Sequence, residues 1–145
     1  MRPLLLSAAA LIALAGCSKA EPKVEDATIR LPIVPGRPGA AYFTLVGGAK
    51  PDRLLAIETD MAKTVELHES AMADGVMTMR KLDGVDLPAG GRVVFAPGGN
   101  HAMLFDISPV LKQGTKTTLR FRFGSGTVVP VEAETTATVA VGNSH

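Results

Sequence analysis

His68 and Met79 are separated by ten residues, Met79 and His101 by twenty-one, and His101 and Met103 by one. Imidazole and thioether are soft, uncharged donors. Two of each make an N2S2 set suited to Cu(I), because thioether sulfur selects Cu(I), whereas zinc and iron–sulfur sites favour thiolate, imidazole or carboxylate. Neutral ligands would leave a Cu(I) site at +1, which costs less to bury than a site at +2. A blue-copper centre needs a cysteine ligand, and the single cysteine, Cys17, stands far upstream. The same residues have a plainer reading. Methionine fills irregular cores, and a histidine among apolar neighbours is commonly just a hydrogen-bonded side chain. Residue types alone leave both open. Met61 and Met72 read as packing, with Met72 near a rim. Met77 shares a strand side with Met79 and reads as either core or second shell. The terminal His145 reads as solvated.

Strands must position these groups. Thr64–Ser70 alternates, with Val65 and Leu67 on one side and Glu66 and His68 on the other. Val76–Lys81 follows after Met72-Ala73-Asp74-Gly75. Taking those four residues as the connection predicts a hairpin in which His68 faces Met79, with Cβ atoms roughly 4.5–5.5 Å apart. In a strand, His101 and Met103 project to the same side, and Pro97-Gly98-Gly99 sets them at a strand start.

The remaining sequence continues that pattern. Ala27–Leu31, Ala41–Val46, Arg53–Glu58, Arg92–Ala96, His101–Ile107, Thr117–Phe123 and Val128–Glu134 are short runs bounded by Gly, Pro, Asp or Asn. No segment holds a helical apolar period. The prediction is an all-β, single-domain Greek-key β-sandwich or barrel over residues 27–134. Residues 135–145 form a last strand or a flexible tail. Upstream, Met1-Arg2, the apolar run Leu4–Leu14 and Leu14-Ala15-Gly16-Cys17 read as a lipoprotein signal over residues 1–16. Its apolar run falls short of the roughly 20 residues that span a bilayer. Cys17 becomes the lipidated first mature residue, and residues 17–26 form a tether. The predicted location is the bacterial envelope, facing the periplasm. Ser18 after the cysteine favours the outer membrane.

A formal net charge of +1 and the absence of tryptophan argue against nucleic acid as a partner. No H-E-x-x-H, G-x-S-x-G or P-loop is present, and the expectation is a protein that is not an enzyme.

Val65–Arg80, Leu87–Gly91, Pro97–Leu104 and Pro38–Leu45 resemble the PCu(A)C type of periplasmic copper chaperones. The family spacing of His, ten residues, Met, twenty-one residues, His, one residue, Met falls on His68, Met79, His101 and Met103 without a gap. The resemblance spans roughly Ala27 to Val131. It implies a cupredoxin-like β-sandwich holding Cu(I) near its surface. It also implies delivery to the Cu(A)-bearing subunit of cytochrome c oxidase, alongside a thioredoxin-like copper chaperone. Many relatives carry a methionine where this chain has Ser70 and a tryptophan near Thr28, and some have a His/Met-rich tail that this chain lacks. A copper-sequestering lipoprotein without a dedicated client is the competing reading. A third is a structural lipoprotein with a methionine-filled core.

Overall fold

The computed structural model describes residues 20–138. The segment read as a lipoprotein signal, Cys17 and His145 lie outside the described residues. Within them the chain forms ten strands and no helix: β1 Lys23–Leu31, β2 Gly39–Val46, β3 Asp52–Glu58, β4 Ala62–Ala73, β5 Val76–Leu82, β6 Val85–Leu87, β7 Arg92–Phe95, β8 Asn100–Ile107, β9 Lys116–Phe123 and β10 Val128–Ala137. The all-β expectation holds. Alternation with period two drives the arrangement. In β9, Leu119, Phe121 and Phe123 are buried, while Arg120 and Arg122 turn out to pair with Asp60 and Glu58.

All ten strands belong to one sheet, in the order β5-β4-β8-β2-β1-β10-β9-β3-β6, with β7 also pairing β2. β1 and β10 run parallel; the other pairings are antiparallel. β2 is shared along its length: Gly39–Ala41 pair with β8, and Phe43–Val46 with β7. A Cβ on Gly39 would lie 2.7 Å from the Ile107 side chain and 3.0 Å from the Arg30 carbonyl oxygen. Glycine is what lets β2 approach both neighbours there.

The sheet folds over its own core. β2 and β9 are separated in the sheet by β1 and β10, yet Phe43 and Phe121 meet edge to face with ring centroids 4.8 Å apart. Phe43 also stacks on Phe95 at 4.2 Å. Offset and edge-on aromatic pairs add about 0.5–1.5 kcal/mol each beyond area burial. Ile29, Leu45, Leu54, Leu104 and Leu119 complete a dry centre.

Three details depart from the sequence reading. β1 starts at Lys23, inside the stretch read as tether, because Val24 and Glu25 already pair with Leu45 and Thr44. A bulge between Glu25 and Thr28, with Asp26 at φ 53°, breaks the alternation that would have revealed it. The short β6 was not anticipated. The β4–β5 connection is also tighter than expected. Asp74 and Gly75, at φ 50° and 76°, form a two-residue turn whose positive φ values suit a hairpin. Both strands therefore extend to Ala73 and Val76, and Met79 faces Ser70 while His68 faces Lys81. The shift is two residues, so His68 and Met79 keep a common face but sit diagonally.

Asp52 ties the start of β3 to the β9–β10 turn. Its Oδ1 accepts from the amides of Arg53 at 2.8 Å and Ser125 at 3.1 Å, and its Oδ2 from the Ser125 hydroxyl at 2.6 Å. Burial alone would raise the Asp52 pKa, but the hydrogen bonds from Ser125 and the backbone outweigh it and hold it below 3.8. A depressed folded value means that the stability it supplies is present above the unfolded pKa and is lost as pH falls through the folded one. Asp52→Asn should therefore destabilise at neutral pH by about 1 kcal/mol and lose that difference in strong acid. Urea unfolding at both pH values checks this. On β8, inward and outward residues should separate in the same assay. Leu104→Ala should cost about 2–5 kcal/mol, and Met103→Ala, half-buried on the opposite face, much less.

Candidate metal centre

Three adjacent strands at one end of the sheet carry the four candidate ligands. β4 and β8 pair so that His68 stands directly opposite His101, and Glu66 opposite Met103. Leu67, Ala102 and Leu104 point into the core, so alternation sends His68, His101 and Met103 to the outer face. On the other side of β4, Met79 pairs with Ser70 on that same face. The result is a set of rows across the sheet. The two histidines occupy the middle row, Met103 the row on one side, and Met79 the row on the other.

The rings of His68 and His101 lie 5.8 Å apart between centroids and 28° from parallel. Ser70, Met79, His101 and Met103 line a shallow concavity of about 260 Å³, walled by Ala40, Tyr42 and Pro97. His101 is buried, at 7% exposure, and Met79 is open, at 55%. Met77 lies on the same face but is exposed rather than core, one row farther towards the hairpin tip. Met79, His101 and Met103 share the concavity, His68 lies beside it through its cross-strand pairing and ring stacking with His101, and Met77 lies outside it.

Hydrogen bonds assign the ring nitrogens. His101 Nδ1 lies 3.0 Å from the Gly99 carbonyl oxygen. A carbonyl only accepts, so Nδ1 carries the proton and Nε2 keeps its lone pair. His68 Nε2 lies 2.9 Å from Glu66 Oε2. Hydrogen bonds from His68, then from Lys81, hold the Glu66 carboxyl below its ordinary value of 4.5, so at neutral pH it too is acceptor only. His68 therefore donates from Nε2 and presents Nδ1. That Nδ1 is buried with no hydrogen-bond partner. An unmatched buried acceptor costs about 1–3 kcal/mol, and a soft cation is one partner that would satisfy it. Each imidazole is thus oriented from behind, as ligating histidines commonly are.

Glu66 was missed in the sequence because it reads as an ordinary charged residue on an outward strand face. The available signal was its place two residues before His68, on the same side of the same strand. Lys81, directly opposite His68 on β5, holds the other carboxylate oxygen at 2.9 Å.

Residues 23–135 match the profile of the LpqE-like lipoproteins. The chain belongs to the LpqE-like lipoprotein family. Among curated relatives, the lipoprotein Lxx21020 of Leifsonia xyli subsp. xyli is 37% identical over 71 residues, covering 48% of this chain and 43% of that protein. The chain thus spans less than half the length of that relative. Solved structures give a longer match. The copper-bound PCuAC domain from PmoF2 superposes with a TM-score of 0.66 at 25% identity, over 83% of this chain and 96% of that domain. Its apo form gives 0.68 at 27%, over 85% and 95%. The Cu(I) form of DR1885 from Deinococcus radiodurans gives 0.65 at 25%, over 86% and 85%. This LpqE-like chain shares the cupredoxin-like fold of the PCuAC domains, as the resemblance implied.

The nitrogen assignment in the LpqE-like chain can be tested without metal. Imidazole 15N NMR of the metal-free protein should show His101 protonated at Nδ1 and His68 at Nε2. Glu66→Ala should remove the His68 preference and leave that of His101 unchanged. A wild-type His68 protonated at Nδ1 would refute the assignment.

Proposed function

We propose that this protein is a lipid-anchored envelope protein that binds one Cu(I) ion through His68 Nδ1, His101 Nε2 and the thioethers of Met79 and Met103, and passes the ion to a copper-requiring protein client. The observation that carries the reading is the His68–His101 cross-strand pair, flanked by a methionine on either side, with one buried ring nitrogen unpartnered. The copper-bound PCuAC domain of PmoF2 and the Cu(I) form of DR1885 support it. Copper is cargo here. The chain supplies neutral soft donors, a face that holds them together, and no catalytic step. Anchoring through Cys17 keeps the domain at the membrane, facing the periplasm, and several acyl chains on one residue would hold it firmly. We further propose that the client is the Cu(A)-bearing subunit of cytochrome c oxidase, reached alone or with a thioredoxin-like copper chaperone.

The openness of Met79 favours delivery over sequestration, because a client ligand can displace an exposed thioether while the histidines still hold the ion. The two readings also predict different phenotypes. Loss of the protein should impair oxidase activity at low copper for a chaperone, and survival at high copper for a store.

Competition titration against a Cu(I) chelator under reducing conditions tests the site. Wild type should bind one equivalent. Alanine at His68, Met79, His101 or Met103 should weaken binding by roughly tenfold or more, about 1.4 kcal/mol per decade. Zn(II), which gains little from thioether sulfur, should bind far more weakly. Affinity should fall in acid, because binding needs neutral imidazoles. It should fall less steeply once one histidine is replaced, since thioethers carry no proton. Four single variants that all bind like wild type would move the site elsewhere.

A further inference from the structure

Met72 and Met77 face each other across the β4–β5 ladder, one pair before the turn-flanking Ala73 and Val76. Both are open to solvent, at 68% and 54% exposure. Burial therefore does not account for two large apolar side chains at this position. The next pair on the same face is Ser70 with Met79, followed by Lys81 with His68. The hairpin thus presents a line of sulfur running from its tip to the four-ligand centre, with successive same-face pairs roughly 6.4–6.8 Å apart.

We propose that Met72 and Met77 form an outer, two-thioether Cu(I) station through which the ion enters and leaves the inner site. The proposal rests on the Cu(I) reading of that inner site. Directly opposed strand residues have Cβ atoms roughly 4.5–5.5 Å apart, and each methionine has enough rotatable bonds to bring its sulfur to a shared ion. Cu(I) accepts low coordination numbers, so two neutral sulfurs suffice for transient binding. Hard divalent ions gain little from such a pair. The adjoining basic residues do not oppose a cation with free charge, because Arg80 is paired with Glu69 and Lys81 with Glu66. An ion at the tip has Met79 as its next sulfur on the route inward. Weak binding suits the role, since a station that held the ion tightly would slow passage in both directions.

The alternative is that the pair merely clips the hairpin by apolar contact. Met72→Leu/Met77→Leu separates the two, because leucine conserves volume and apolarity but removes the sulfur. The full-length protein in detergent, with 13C-labelled methionine methyl groups, is titrated with Cu(I) buffered by a competing chelator. The first equivalent should shift the Met79 and Met103 methyls, and excess Cu(I) should then shift those of Met72 and Met77. The double leucine variant should keep the inner-site affinity within about threefold while taking up Cu(I) from the chelator roughly tenfold more slowly, a change in rate rather than affinity. Suppose the Met72 and Met77 methyls stay fixed at every Cu(I) level and the double variant loads at the wild-type rate, while Met79 and Met103 still respond. The outer station is then refuted and the inner site stands. Shifts at Met72 and Met77 with none at Met79 and Met103 would refute the inner site and, with it, the role of the outer pair as a station serving that site.

Discussion

The registration of β4 against β8 is the constraint on which the candidate centre depends. It sets His68 opposite His101 and Glu66 opposite Met103 in successive pairs on one face. A slip of one residue would send His68 into the core and bring Leu67 out, because the side-chain period of a strand is two. The register is protected by what lies beneath it. Leu67, Ala102 and Leu104 are almost wholly buried on the inner face of the same two strands, so a slip would also expose part of the core. Core packing and ligand geometry are consequences of a single alignment.

On the outer face the chain spends polar groups on orientation. Gly99 offers a backbone carbonyl to His101 and Glu66 a carboxylate to His68, while Lys81 steadies that carboxylate from the neighbouring strand. These partners touch the rings on the side away from the free lone pairs. The proposed donor set stays neutral, and the negative charge of Glu66 is matched by a lysine rather than left to the centre. Such an arrangement holds the imidazoles before any ion arrives, so less ordering is required on binding.

Much of this was legible in the sequence, for identifiable reasons. β4 and β8 alternate cleanly, so the faces of His68, His101 and Met103 could be read from parity alone. The hairpin register could not, because Asp74-Gly75 can close a two-residue turn or sit inside a longer loop, and only the backbone angles decide. The error was an even number of residues, which is why the face of Met79 was right and its partner wrong. β1 concealed its first residues behind a bulge at Asp26, where pairing continues but alternation does not. The three-residue β6 carries too little pattern to be recognised. Glu66 was invisible for a different reason: a carboxylate that orients a ring has the same outward-facing signature as one that only meets water.

β5 stands at one end of the strand order and carries Val76, Met77 and Met79 in largely exposed positions. A flat apolar strand at a sheet margin is a template for strand addition by another chain. Here the same strand continues into Arg80 and Lys81, and both lean back to acidic residues of β4. A second copy of the strand pairing along this margin would have to desolvate these ion pairs just past the sulfurs. The hairpin can therefore display soft apolar atoms to the surroundings while discouraging self-association along its edge.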